Sequence, residues 1–216
     1  MDRIITVKGT GRLSLRPDRV TVELSLNSRD RDYYKAMKIA EQSVEALSNA
    51  LEPAGFKKDD IKTVHFGVSA EYDNVRENGV FKNVFSCYAV SHRLRIAFPF
   101  GNERLSNVLT AAARSVTDPD LFVSFSVSDT KAAEEELMKL AAKDARKRAE
   151  TLAEASSVKL GALQSIDYDS NGLSFVSPTN FSNSPRLMKR MDSVSMEVSP
   201  EDVSLEKSAV FVWALE

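Results

Sequence analysis

Two histidines, one cysteine and a pair of close glycines are the residues of this 216-residue chain whose types could do chemistry. His65, Cys87 and His92 offer the nitrogen and sulfur atoms that a zinc ion takes. Their spacing works against a shared site. His65 falls on the polar face of an alternating stretch, 61–72, whose other face holds Val64, Phe66, Val68, Ala70 and Tyr72. His92 falls in phase with Val90 and Leu94 in a second stretch, 85–98. A hairpin joining these stretches keeps its apolar faces on one side, so the imidazoles should point to opposite faces. A common metal would then need a bulge. The expectation is a core His92, a surface His65, and an inert buried thiol at Cys87. A single cysteine makes no intrachain disulfide.

Gly9-Thr10-Gly11 has the look of a phosphate-binding turn, which places glycines between a strand and a helix N-terminus. Here the glycines lie inside a stretch that runs on as a strand to Leu15. The simpler reading is that they let a helix approach the sheet closely. Asp59-Asp60 and Glu201-Asp202 sit beside turn signals. Carboxylates must converge from separate elements for acid–base work, and nothing in the spacing makes these converge. The chain has neither a nucleophile elbow nor a Walker loop. The basic run Lys143 to Arg148 is diluted by Glu134–Glu136, Asp144 and Glu150. It reads as a solvated helix face with pairs such as Glu135–Lys139 and Asp144–Arg148. No catalytic, cofactor-binding or metal residue is assigned.

Any such residue would be positioned by a run of short elements. Residues 4–15 alternate, with Ile5, Val7, Leu13 and Leu15 inward beside the two glycines. Arg16-Pro17-Asp18-Arg19 reads as a turn. The next strand carries Val20, Val22, Leu24 and Leu26 inward. A hairpin between them would set Leu15 beside Val20, Leu13 beside Val22 and Arg12 opposite Glu23. Residues 30–51 have a helical stripe of Tyr33, Ala36, Met37, Ala40, Val44, Leu47 and Leu51, with Asp30 as its expected cap. Asp73 to Asn83, with Asn78-Gly79, reads as a polar loop. A shorter helix holds Leu105, Val108, Leu109, Ala112, Ala113 and Val116. Leu121, Val123, Phe125 and Val127 alternate as another strand.

The longest element is the helix over about 130–155, rich in alanine and leucine, roughly 37 Å long at about 1.5 Å per residue. Asp129 or Thr130 is its expected cap. Glu134, Glu135 and Glu136 come early in it and Lys139 to Arg148 late, an order that suits the helix dipole. Strands follow at about 162–168 and 204–215. Between them, 169–200 is rich in serine, asparagine and proline and reads as a long loop. Such a loop is either disordered or used, and its large apolar groups suit an arm packing on another subunit as well as plain disorder suits its composition. The final stretch is apolar on both faces, as in a sheet centre or a subunit contact. The candidate oligomer contacts are therefore Phe175, Phe181, Leu187, Met188, Met191, Phe211 and Trp213.

The order predicts an α+β fold: a ferredoxin-like β-α-β-β-α-β core over about 20–128, an extra N-terminal strand, a long third helix over about 130–155 and two C-terminal strands. The whole, 1–216, is read as one domain. Its subdivision would be the 20–128 core and a flanking layer of 1–19 plus 129–216. A net charge of −2 gives no long-range pull toward nucleic acid or anionic lipid. The apolar runs fall short of the ~18–20 residues that span a bilayer. MDRIITVKGTG has no leader pattern, so a cytoplasmic location is expected from the chain as it stands. A periplasmic or envelope location would follow if a leader had been removed.

VKGTGRLSLRPDRVTVELSL resembles the opening of SIMPL-domain proteins. Asp60-Ile61-Lys62-Thr63, Tyr72 and the strand from Tyr88 to Ile96 are similar to later family segments. So is Phe125-Ser126-Val127-Ser128-Asp129 leading into the pattern A-xxx-A-R-x-R-A-xxx-L-A at Ala141 to Ala153. The resemblance implies a mostly bacterial group, often exported, that includes a periplasmic immunogenic protein forming a ring- or channel-like oligomer. It also implies a link to oxidative-stress tolerance, and it supplies no catalytic residue and no cofactor. The expected function is that of a non-enzymatic, homo-oligomeric scaffold or binding protein. A small-ligand regulatory module is the alternative, and an enzyme of unrecognised type the second alternative.

Overall fold

A computed structural model describes residues 3–77, 79–115, 120–168, 172–183 and 197–216. It has a mixed α and β architecture with two antiparallel sheets. The elements are β1 (Ile4–Leu15), β2 (Arg19–Asp30), α1 (Tyr33–Leu51), β3 (Lys62–Glu77), β4 (Val80–Pro99), α2 (Asn102–Ser115), β5 (Asp120–Ser126), α3 (Thr130–Ala155), β6 (Leu160–Tyr168), β7 (Val176–Asn183) and β8 (Val203–Leu215). Sheet orders are β1-β8-β6 and β3-β4-β2-β5-β7. The chain divides into two compact units. One comprises Met1–Pro17, Ser126–Pro178 and Pro200–Glu216, the other Asp18–Phe125 and Thr179–Ser199.

In the first unit α3 lies on the three-stranded sheet. Its buried positions are Ala133, Leu137, Ala141, Ala145, Ala149 and Ala153, an almost unbroken i,i+4 stripe of small side chains. Gly9 and Gly11 of β1 lie under that stripe. A Cβ on Gly9 would collide with the carbonyl oxygen of Ala141 and with Cβ of Ala145, and one on Gly11 with the carbonyl oxygen of Leu137. The glycines therefore set a close helix–sheet contact. Asp129 caps α3 by accepting from the Ala132 N–H at 3.0 Å. Glu134–Glu136 and Lys139–Arg148 lie inside the helix ends, and the charge that suits the dipole at the N-terminus is that of the Asp129 cap. The first turn has no acid and the last no base, and the effect fades beyond those turns.

In the second unit β2 and β4 form the sheet centre, with Val20, Val22, Leu24, Leu94 and Ile96 essentially inaccessible. Leu47 and Leu51 of α1 and Leu105, Val108 and Ala112 of α2 complete this core. The cap of α1 is Asp32, which accepts from the Lys35 N–H at 3.0 Å. Asp30 is instead the last residue of β2 and accepts from the Asp32 N–H.

Three expectations are corrected. β1 and β2 do not form a hairpin. β1 pairs with β8, setting Arg12 opposite Glu206, and β2 pairs with β4, setting Glu23 opposite Arg95. The link Arg16-Pro17-Asp18 instead carries the chain from one compact unit to the other, and each strand takes its partner within its own unit. Residues 73–77 and 80–83 are not a loop, because the β3–β4 ladder continues from Asp73↔Val84 to Glu77↔Val80, with Gly79 at φ 81° in the turn. The stretch 169–200 contains β7, so among the described residues three strands, not two, follow α3.

Candidate functional site

Phe211 and Trp213 face inward on β8. Their rings stack with centroids 5.6 Å apart and planes 16° apart, against Val7, Ala145, Ala149 and Ala209. Both are buried. Phe175 is partly buried against Ala133, Leu137, Val203 and Leu205. Phe181 lies in the other unit, partly buried against its main core. Leu187, Met188 and Met191 fall outside the described residues. Within the first unit Phe211 and Trp213 share one cluster and Phe175 belongs to another.

The residues suited to chemistry are equally dispersed. Phe66 pairs with His92 and His65 with Arg93, so the two imidazoles lie on opposite faces of the ladder. A register shift between Thr63 and His65 brings the Thr63 hydroxyl to 2.9 Å from His92 Nε2. Burial lowers the His92 pKa and so favours its neutral form. The Cys87 thiol donates to Glu71 Oε2 at 3.6 Å. Desolvation first, and Glu71 second, raise its pKa, which disfavours the reactive thiolate. Among the described residues no group of three or more His, Cys, Asp or Glu is placed to hold a metal. Asp60 is held locally, accepting from the Lys57 N–H, and Asp202 accepts from the Ser14 hydroxyl. On α3 the two arginines of the basic run are paired, Arg146 with Glu150 at 2.9 Å and Arg148 with Asp144 at 3.0 Å. Lys139 reaches Glu136 at 3.9 Å.

What stands out is a surface. β2 pairs with β4 only from Tyr88 to Pro99, so among the described residues the stretch Val80–Cys87 is paired with β3 alone. This two-stranded ribbon extends about 25 Å past the end of β2, at roughly 3.4 Å per residue. One ribbon face carries Tyr72, Phe81 and Phe85, and the other Val75 and Val84, all exposed. Phe81 is 68 % and Tyr72 60 % exposed. Ring contacts continue along the aromatic face from Tyr72 to Phe85, Tyr88, Tyr33 and Tyr34, with centroids 5.1–5.9 Å apart. Sequence reasoning passed over the ribbon because Asp73, Asn74, Asn83 and Gly79 give it the composition of a loop. The usable signal was the alternation of Val75 with Asn74 and Arg76 and of Phe81 with Lys82 across Gly79.

A profile of the SIMPL family, described as a protein of unknown function (DUF541), matches residues 5–213. The chain belongs to the SIMPL family. The matched span takes in both units, the ribbon and α3. No curated protein matches the chain. Family membership here carries a fold, and the site itself must carry the function.

Proposed function

We propose that this SIMPL protein works by contact rather than by catalysis, as a homo-oligomeric scaffold or binding protein. The observation that carries the reading is the β3–β4 ribbon, with large apolar side chains exposed on both faces. An isolated two-stranded ribbon is marginal in water, and contiguous exposed apolar surface marks interaction sites. A second copy of the chain is the partner we assign to it. The net charge of −2 offers little repulsion between copies. Support for a ferredoxin-like core comes from the order β5-β2-β4-β3 with α1 and α2 as the connections. The link to stress tolerance rests on the family resemblance alone and is part of the proposal.

Sedimentation velocity on the full chain and on a Phe81→Asp, Tyr72→Asp double variant tests it. We expect the parent to sediment as an oligomer. The variant should shift toward the 23.9 kDa monomer with unchanged far-ultraviolet circular dichroism. A monomeric parent, or an oligomer indifferent to the two substitutions, would overturn the assignment.

A further inference from the structure

β1 is an edge strand of its sheet, paired on one side by β8. In an antiparallel pair the backbone groups of alternate residues point away from the partner strand. The direction for β1 is fixed by Thr10, whose N–H leaves the sheet and donates to Asp144 Oδ2 of α3 at 2.8 Å. Thr6 and Lys8 are in phase with Thr10, so their backbone groups point outward as well. The chain thus answers one edge amide with a carboxylate of its own and leaves the next two positions along the edge facing a groove.

That groove has a volume of about 630 Å³ and is lined by Thr6, Lys8, Asp144, Lys147, Arg148 and Leu152, among others. Leu152 is 51 % exposed. Lys8 and Lys147 are exposed, and among the described residues neither has an ion-pair partner. Arg148 is neutralised by Asp144, the one acid in the lining. An open strand edge beside a helix flank is a place where an extended peptide adds as a further strand. Two unpaired lysines select its sign.

We propose that the free edge of β1 and the adjoining flank of α3 form a docking groove for an extended, acidic peptide segment. The segment adds antiparallel or parallel to Thr6 and Lys8, exchanging backbone hydrogen bonds with both. Its acidic side chains meet Lys8 and Lys147, and an apolar side chain covers Leu152. Asp144, already on the Thr10 amide, sets the inner limit of the site. This surface lies in a different unit from the ribbon and does not depend on self-assembly.

The test is amide hydrogen exchange of the full chain, read residue by residue by nuclear magnetic resonance. The probe is a blocked peptide alternating glutamate and valine; its lysine–valine counterpart and a version of the acidic probe with every amide N-methylated are the controls. At saturating acidic peptide the Thr6 and Lys8 amides should slow by at least about tenfold, worth about 1.4 kcal/mol. A Lys8→Glu, Lys147→Glu variant should weaken binding by about tenfold or more. The basic and N-methylated probes should give no protection. Perturbation confined to α3 with unprotected edge amides would overturn the proposal in favour of simple charge pairing. Protection that rises with chain concentration in the absence of probe would overturn it in favour of a second copy on this edge. Unchanged exchange at millimolar probe would overturn it outright.

Discussion

Gly9→Ala is the substitution that probes the helix–sheet contact most directly. The added Cβ meets the Ala141 carbonyl oxygen and the Ala145 Cβ at well below contact distance, and lies 2.8 Å from the Ala145 nitrogen. Two of these three neighbours are backbone atoms, which no rotamer change can move aside. α3 must lift by about 1 Å or β1 must bend away. A radial gap of ~0.5–1 Å forfeits a quarter to a half of each dispersion contact along the seam. Overpacking of this kind costs about 1–3 kcal/mol, and the rigid neighbours place Gly9 at the upper end. The strand gains roughly 0.5–1 kcal/mol from losing a flexible glycine. The net expected loss is about 2 kcal/mol. Urea unfolding followed by the fluorescence of Trp213, the single tryptophan, reports on the unit that holds Gly9. With a denaturant slope of about 2 kcal/mol per molar, the midpoint should fall by about 1 M. Gly172→Ala is the matched control, because a Cβ there meets nothing within 4 Å. It should change stability by less than about 1 kcal/mol. A Gly9→Ala chain within about 0.5 kcal/mol of the parent, or a control equally destabilised, would refute the packing argument.

Asp144→Ala removes the acceptor of the Thr10 amide and the partner of Arg148, and should cost about 1 kcal/mol in the same unfolding assay. The Thr10 hydrogen bond first, and Arg148 after it, hold the Asp144 carboxyl below its ordinary pKa. Its stabilisation is therefore full above the unfolded carboxyl value and lost as pH falls through the folded one. The gap between the parent and Asp144→Ala should narrow under acid; a gap that stays constant with pH would contradict this reading. His92 has a folded pKa lowered by burial. Its contribution is present above the unfolded value of about 6.5 and declines as pH falls from there toward the folded one. His92→Gln should flatten that part of the stability–pH curve, checked by urea midpoints on either side of it. The Arg104 guanidinium sits 4.7 Å from the ring centroid of Phe56 and 5.5 Å from that of Phe98. Arg104→Gln should destabilise the second unit by about 0.5–1 kcal/mol in thermal unfolding, and no change would remove the cation–π contribution from the account.

Periodic signals survived into the structure where one face of an element is buried. The i,i+4 alanine–leucine stripe of α3 and the inward alternation of β2, β4 and β5 are of this kind, because those positions pack on a core. Gly9 and Gly11 were legible as a close approach, since a glycine inside an alternating strand has few other uses. Strand partners were less legible. Leu13 and Leu15 suit Leu205 and Val203 as well as they suit Val22 and Val20, so the pattern alone does not choose. β7 was missed because Ser177, Pro178, Thr179 and Asn180 have turn composition. The outer β3–β4 ladder was missed because it buries little and therefore keeps polar residues on both faces. The groove at β1 brings Lys8 beside Lys147 across a long sequence separation. No local pattern contains that pairing; it follows only once α3 is laid on β1.

The central claim is that the exposed apolar surface of this chain serves self-contact. Multi-angle light scattering of the full chain across the micromolar range measures this directly. The account predicts a molar mass that is a multiple of 23.9 kDa and persists on dilution. A value equal to the single-chain mass at every concentration would contradict it.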